Sequence, residues 1–139
     1  MGLTYADIIL VNGIDAAMAR RGAMKDEDVR KIAVKALVDS GAIMLTINQS
    51  IADQLDLAVE DSAEVELADG THCKHNLVGP VRVHFQNRRA TCSALVLPGA
   101  SEVLLGAIPL EAMDVIIDPV SQQLVVHPDR PYLAGMKIK

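Results

Sequence analysis

Aromatic side chains are scarce in this sequence of 139 residues, which has no Trp, one Phe and two Tyr. Half of the residues are nevertheless hydrophobic, so a core built from this chain must consist almost entirely of aliphatic side chains. A chain of this length is long enough to bury a sizeable core within one domain. We therefore expect a single domain that spans residues 1–139.

Positive charge is also in short supply, because 13 Lys and Arg side chains stand against 18 Asp and Glu, which gives a net charge of −5. A nucleic-acid-binding face needs an excess of basic side chains, so we expect no nucleic-acid partner. No apolar run approaches the ~18 residues of a membrane-spanning helix, and the N-terminus lacks the charged-then-apolar pattern of a signal peptide. These absences predict a soluble cytoplasmic protein without a membrane partner.

Cysteine is limited to Cys73 and Cys92. Two cysteines in a chain of intracellular type are more often free thiols than a disulfide, so we predict free thiols. Cys73 lies close to His72 and His75, a combination that can bind zinc. However, neighbouring residues on a strand point to opposite faces, and no matching pair of ligands appears elsewhere at zinc spacing. We therefore predict neither a metal site nor a cofactor.

Short apolar runs separated by turn residues make up most of the sequence. Residues 81–85 alternate between apolar and polar, as in a strand with one buried face. Asp69-Gly70 is typical of hairpin turns, and Asn48 is a good N-cap for a short helix over Gln49–Leu55. The predicted strands are Leu3–Val11, Val34–Val38, Ile43–Ile47, Glu64–Leu67 with a return toward Val78, Val81–Phe85, Ala90–Leu97, Leu104–Gly106, Val115–Ile117 and Gln123–Val126. With a second short helix over Ile108–Met113, this pattern predicts a mostly β barrel or sandwich with one or two short helices.

Four stretches give no clear strand or helix signal. Residues 14–28 carry mixed charges, so we expect an exposed loop there, with at most a turn of helix over Ala16–Arg21. Gly79-Pro80 is expected to separate two strands. Arg88-Arg89 is expected to lie in a solvated turn, and the tail of residues 128–139 has no element that we can assign.

The most informative stretch is the apolar run Val34–Val38, which ends abruptly at Asp39-Ser40-Gly41. The run indicates a buried strand, so the acid lies at a strand end, where Gly41 lets the backbone turn sharply. Burying a carboxylate beside an apolar strand is costly unless it is hydrogen-bonded or partly protonated, which makes Asp39 a candidate for chemistry. The alternative is an ordinary strand-ending turn, because turns favour Asp, Ser and Gly.

A second apolar run, Glu102–Leu110, follows about 60 residues later and contains Leu104-Leu105-Gly106. Together with Asp39-Ser40-Gly41-Ala42, this run resembles the paired motifs of the retropepsin-like aspartic proteases, over roughly residues 30–127. The resemblance implies a retropepsin-like closed β barrel or sandwich. It also implies an aspartic endopeptidase, a hydrolase that cleaves a peptide or protein substrate with Asp39 as its catalytic acid.

Hydrolysis of a peptide bond by carboxyl groups needs two of them around one water. The sequence has no second acid-Ser/Thr-Gly motif, so either the chain is inactive or two copies meet and each contributes Asp39. The resemblance implies the second option, a homodimer. The alternative function is a non-catalytic β-rich module for peptide binding or dimerisation that keeps the fold.

The resemblance also implies roles for the residues around the acid. Ser40 would brace the two loops across the dimer axis, and Gly41-Ala42 would leave room for the substrate backbone. Leu104-Leu105-Gly106 would close the site from behind. The hairpin Ala68-Asp69-Gly70-Thr71 would be the flap that closes over bound substrate. We expect Gln123–Val126 to be a strand of the dimer interface.

Overall fold

The structure is a computed structural model that describes residues 2–66, 69–99 and 101–132. Within these ranges the chain forms nine β-strands, three short α-helices and a single 3₁₀ turn. In chain order they are β1 (Tyr5–Asn12), α1 (Gly13–Arg20), the 3₁₀ turn (Asp26–Asp28), β2 (Lys31–Val38), β3 (Leu45–Asn48), α2 (Gln49–Gln54), β4 (Ala58–Glu66), β5 (His72–Phe85), β6 (Arg88–Leu97), β7 (Leu104–Leu105), α3 (Ala107–Met113), β8 (Val115–Asp118) and β9 (Gln123–Val126). None of these helices is long and apolar enough to cross a membrane.

Seven of the described strands form one sheet in the order β1-β2-β7-β3-β6-β5-β4. An additional antiparallel pairing between Ile9–Asn12 of β1 and Val81–His84 of β5 closes six of these strands into a ring and leaves β4 outside it. Strands β8 and β9 form a separate antiparallel hairpin. This architecture confirms the predicted mostly β, retropepsin-like fold class, although it has three α-helices where one or two were predicted.

The hydrophobic core is aliphatic, as the composition predicts. Ile8 and Leu10 of β1 are buried, and so are Val81, Val83 and Phe85 of β5. Since side chains alternate between the two faces of a strand, the predicted buried face of residues 81–85 is confirmed. The neighbouring strands of the ring add the buried residues Ala36, Val38, Leu45, Ile47, Ala94, Val96 and Leu105.

Residues 14–28 differ from the predicted exposed loop, because their first half belongs to helix α1. Asn12 caps this helix, and its Oδ1 accepts the N–H groups of Ile14 and Asp15, each at 3.0 Å. Asp15 is buried, and its carboxylate accepts the Arg30 N–H at 3.1 Å. The buried carboxylate of Asp15 thus connects α1 to Arg30, whereas the charged residues of this stretch were predicted to be solvated.

Strand β5 runs without a break from His72 to Phe85, so Gly79-Pro80 does not separate two strands as predicted. The pair lies at a β-bulge, where the register between β5 and β6 shifts between Val78 and Val81. Bulges are among the few places in a sheet that tolerate Pro, because its missing N–H is not needed for the ladder there.

Arg88 is buried, with an exposure of 3 %, and it begins β6, so the predicted solvated turn is wrong for this residue. Its Nη2 donates to the Arg130 carbonyl, and the Asn87 Nδ2 donates to the Pro131 carbonyl at 2.9 Å. The Arg130 guanidinium forms an ion pair with Asp114 at 2.5 Å. These contacts hold residues 130 and 131, at the beginning of the tail, against the β5–β6 turn and the end of α3.

Both cysteines are free thiols, as predicted. Cys73 is exposed on β5, and Cys92 is partly buried on β6. Burial raises the pKa of the Cys92 thiol to about 11, which keeps it protonated and poorly nucleophilic at neutral pH.

Candidate active site

The loop from Asp39 to Ala42 leaves the carboxyl end of the core strand β2. The N–H of Asp39 donates to the Leu105 carbonyl at 3.0 Å, and the N–H of Ala42 donates to the Asp39 carbonyl at 3.1 Å. The chain therefore turns back directly after the acid. Ser40 and Gly41 are exposed, whereas Asp39 and Ala42 are half-buried, so a molecule outside the chain can reach the acid.

The Asp39 side chain is oriented by its own loop. Its Oδ1 accepts the Gly41 N–H at 3.0 Å. Within residues 2–66, 69–99 and 101–132, its Oδ2 has no hydrogen-bond partner. The backbone thus fixes one carboxylate oxygen and leaves the other available to a water, a substrate or a second carboxyl group.

Strand β7 lies between β2 and β3 and supports the loop from behind. Leu104-Leu105 pairs in parallel with Leu37-Val38, and Leu104 also pairs antiparallel with Thr46 of β3. Leu105 is fully buried and Leu104 is half-buried. At the start of α3, Ala107 donates its N–H to the Ala42 carbonyl at 2.8 Å. Two segments that lie about 60 residues apart in the sequence are therefore hydrogen-bonded neighbours.

Gly106 lies where the loop backbone comes closest to the β7–α3 junction. A Cβ at this position would come closest to the Met44 carbonyl oxygen, and it would also stand 2.8 Å from the Ala42 carbonyl oxygen and 2.9 Å from the Ile43 carbonyl carbon. All three neighbours are backbone atoms, which cannot rotate away as a side chain can. Because its φ of −88° is open to any residue, this glycine is required for close approach and not for an unusual backbone conformation.

The β4–β5 hairpin is exposed along most of its length, since none of the described residues in the range 58–77 is buried. Its tip includes Asp69, Gly70 and Thr71, whereas Ala68, which was predicted to belong to it, lies outside the described residues. The Asp69 Oδ1 accepts the Thr71 hydroxyl at 2.6 Å and the Thr71 N–H at 3.0 Å. These hydrogen bonds lower the pKa of the Asp69 carboxyl group. Gly70 adopts the φ of +88° that this tight turn requires.

A cavity of about 320 Å³ lies beside the loop, between α3 and the β8–β9 hairpin. Ser40 lines it together with Leu110 of α3 and Leu124 of β9. Ile116 and Ile117 of β8 also line it, and each is 39 % exposed. Sequence reasoning missed this apolar surface. The signal was the pair of adjacent isoleucines in a four-residue strand, because at most one of two neighbours can face a single buried side.

His72, Cys73 and His75 are the residues that were considered as metal ligands in the sequence. In the part of the chain that the structure describes, no three His, Cys, Asp or Glu side chains come close enough together to hold a metal ion. His72 instead lies 3.1 Å from the Glu64 carboxylate and 3.6 Å from that of Glu66, all three side chains being largely exposed.

Comparison with protein families gives a match to part of the chain. Residues 28–112, more than half of the chain, match the family model described as gag-polyprotein putative aspartyl protease. The matched segment contains β2 with the Asp39 loop, the β4–β5 hairpin, and β7 with most of α3. Comparison with curated proteins gives no match.

Proposed function

Because the chain belongs to the retropepsin-like aspartyl protease family, we propose that it is an aspartic endopeptidase whose active form is a homodimer. Each subunit supplies Asp39 to a pair of carboxyl groups, and this pair activates the water that hydrolyses a peptide bond of a peptide or protein substrate. The position of Asp39 carries the proposal. The acid is half-buried at the end of a core strand, on a loop whose backbone is hydrogen-bonded to β7 and α3.

The chemistry explains why one subunit is not sufficient. An ionised carboxyl group takes a proton from the water, while a protonated one polarises the scissile carbonyl and later protonates the leaving nitrogen. Two carboxyl groups a few ångströms apart cannot both ionise easily, so they share one proton and titrate together. The sequence has no second acid-Ser/Thr-Gly motif to supply the partner. A twofold axis beside the loop brings the same residue from two copies together.

The surroundings of the residues next to Asp39 support this proposed mechanism. Gly41 holds the Asp39 Oδ1, which leaves Oδ2 for the water. The exposed Ser40 hydroxyl donates across the axis to the second loop and braces the pair. The absence of large side chains at Gly41-Ala42 leaves room for a substrate backbone, and Leu104-Leu105-Gly106 supports the loop from behind.

The exposed β4–β5 hairpin acts as a flap in this proposal. A substrate binds in extended form between flap and loop and adds main-chain hydrogen bonds to both. Closure of the hairpin tip, at Asp69, Gly70 and Thr71, then excludes bulk water from the reacting groups.

Exposed apolar side chains around the loop support self-association. Ile43 follows the loop directly and is 69 % exposed, and Ile108 in the first turn of α3 is 47 % exposed. Ile116 and Ile117 of β8 are also exposed, and they line the cavity beside Ser40. Exposed apolar patches mark interaction sites. We assign the dimer interface to this face, with β9 (Gln123–Val126) as a contributing strand, because the β8–β9 hairpin borders the cavity that Ser40 lines.

The variant Asp39→Asn tests the proposal directly. It should lower the cleavage rate of an unfolded protein or a peptide library at mildly acid pH by about 10²- to 10⁴-fold, the usual contribution of a general acid or base. The matched control is Asp28→Asn, which changes an exposed acid in the 3₁₀ turn and should leave the rate unchanged. Melting temperatures close to that of the wild type should show that both variants fold.

The alternative function predicts a different result. If the wild type cleaves nothing over a wide pH range, or if Asp39→Asn cleaves equally well, the chain is a binding or dimerisation module. Light scattering adds a second criterion, since the mass in solution should be near twice the 14.9 kDa of one chain. A strict monomer at high concentration would remove the second acid and with it the proposed mechanism.

A further inference from the structure

A second cleft lies at the opposite end of β2 from the Asp39 loop. It has a volume of about 560 Å³, and its floor includes Ile9 and Val11 of β1 and Ala16 of α1. Lys31, the first residue of β2, is on its rim. Since β2 advances about 3.3 Å per residue, its eight residues separate the cleft from the loop by about 23 Å. The cleft is therefore not part of the proposed active site.

The strand register gathers positive charge at this cleft. Val11 of β1 is opposite Lys31 of β2 on one side and opposite Arg82 of β5 on the other. Further along β5, His84 is opposite Arg89 of β6. Residues opposite one another in antiparallel strands have Cβ atoms about 5 Å apart. All of these side chains line the cleft, so the positive groups face one common space.

Arg20, in the last turn of α1, contributes a fourth cationic side chain to the lining. Among the described residues, none of the four cations Arg20, Lys31, Arg82 and Arg89 forms an ion pair with a carboxylate. Asp26 is the single acid that the described part of the chain contributes to the lining of the cleft. The cations therefore outnumber the acid at the cleft, on a chain whose net charge is −5.

The electrostatic consequences appear in two neighbouring groups. Burial, and then the charges of Arg89 and Arg20, lower the pKa of the Arg82 guanidinium. Burial, and then the charges of Arg82, Arg89 and Lys31, lower the pKa of His84. An anion placed between these groups would relieve this repulsion.

We propose that this cleft binds a small phosphate monoester, with its phosphate among Arg20, Lys31, Arg82 and Arg89 and its organic part on the apolar floor. A phosphate dianion matches four cations better than a monovalent carboxylate does, and the planar fork of Arg binds phosphate oxygens in pairs. The volume is in the range of small-molecule sites. Among the described residues, no Phe, Tyr or Trp side chain lines the cleft for base stacking, which disfavours a nucleic acid.

Two probes distinguish the charged part of the ligand from its organic part. Inorganic phosphate and butyl phosphate are titrated into the full chain at 0.15 M ionic strength, where charges more than about 8 Å apart are screened. Calorimetry gives the dissociation constants, and the His84 ring signals in NMR spectra report binding at the cleft itself. Both probes should saturate, and butyl phosphate should bind more tightly because of the apolar floor.

Matched variants locate the site. Arg82→Gln and Arg89→Gln should each weaken butyl phosphate binding by about tenfold, as expected for the loss of a charge-assisted hydrogen bond. Arg82→Lys keeps the charge and should weaken binding less than Arg82→Gln does. Asp26→Asn removes the one acid in the lining and should strengthen binding. This opposite sign separates a specific effect from damage to the fold.

The chain offers a neighbouring control for two of the cations. Arg20→Gln should weaken binding, whereas Arg21→Gln should not, because Arg21 is exposed and outside the cleft lining. Likewise Lys31→Ala should weaken binding and Lys35→Ala should not, because Lys35 lies four residues further along β2 and outside the cleft lining.

Three results would overturn the proposal. The first is no saturable binding of either probe at 0.15 M ionic strength. The second is an equal loss of affinity in the cleft variants and in their controls, which would indicate a diffuse surface charge. The third is tighter binding of an oligoglutamate peptide than of butyl phosphate, which would assign the cleft to an acidic protein segment.

Discussion

The close approach at Gly106 makes Gly106→Ala the most sharply defined perturbation of the site. The backbone dihedral angles, φ −88° and ψ −174°, suit alanine, so the substitution acts through sterics alone. The new methyl group would come closest to the Met44 carbonyl oxygen, and it would also lie 2.8 Å from the Ala42 carbonyl oxygen and 2.9 Å from the Ile43 carbonyl carbon. To restore ordinary contacts of about 3.4 Å with all three atoms, the loop or the β7–α3 junction must move by roughly 1 Å.

This movement should lower both the free energy of unfolding and the rate of peptide cleavage. Overpacking of this kind destabilises by about 1–3 kcal/mol, which for a domain of this size lowers the melting temperature by roughly 3–10 °C. The Ala42 carbonyl also accepts the Ala107 N–H at 2.8 Å, a hydrogen bond that the displacement would stretch. Since misplacement of catalytic groups by about 1 Å can reduce rates by about 10²-fold, kcat/KM for peptide cleavage should fall steeply.

Gly22→Ala provides a control that separates lost stability from lost activity. Gly22 has a φ of +80°, and no atom of the described residues lies within 4 Å of the point that a Cβ would occupy, so alanine there is strained but does not clash. It should cost about 1–2 kcal/mol without affecting cleavage below the melting transition. Differential scanning calorimetry and a fluorogenic peptide assay would give both quantities. Wild-type stability together with wild-type kcat/KM in Gly106→Ala would refute the steric reasoning.

Further predictions concern the dimer and the flap. Ser40→Ala removes the hydroxyl proposed to bridge the subunits, so sedimentation equilibrium should show a dimer dissociation constant raised by about tenfold. Ser40→Thr keeps a hydroxyl and should restore the wild-type dissociation constant. Equal dissociation constants for all three proteins would contradict the bridge. Asp69→Ala removes both hydrogen bonds to Thr71 and should lower the protection of the Thr71 amide against hydrogen exchange. Because these bonds lower the pKa of Asp69, their stabilisation is present above the ordinary Asp pKa and is lost as the pH falls through the lower, folded value. The difference in protection between wild type and variant should therefore disappear at acid pH, and a difference that persists there would contradict this assignment.

Local patterns in the sequence were sufficient for the elements next to the acid. The apolar run that ends at Asp39 belongs to strand β2, and the end of this strand at Val38 follows from apolar residues stopped by turn formers. The strand begins at Lys31, three residues before the predicted start at Val34. Asn48 caps helix α2 as expected, since its side chain accepts the Ile51 N–H at 2.9 Å. In both cases a few adjacent residues determine the structure, so the signal is contained in the sequence itself.

Features that depend on distant partners were not predictable in this way. The pairing of β1 with β5 that closes the ring joins residues more than 60 positions apart and leaves no local pattern. The contact of the buried Arg88 is also distant in the sequence, because its Nη2 donates a hydrogen bond to the Arg130 carbonyl. Helix α1 could have been predicted from the sequence, because Asn12 is a favourable N-cap residue directly before it. The charged residues that follow led instead to the prediction of an exposed loop.

Subunit mixing tests the central claim, that two Asp39 side chains from different chains form one catalytic pair. Wild-type protein is mixed with a ninefold excess of Asp39→Asn subunits, and cleavage is measured immediately and again after exchange is complete. Random exchange leaves about a tenth of the wild-type subunits paired with one another, so the activity per wild-type subunit should fall to about a tenth of its initial value. Activity that stays constant, although mass measurements show that mixed dimers have formed, would contradict a shared catalytic pair.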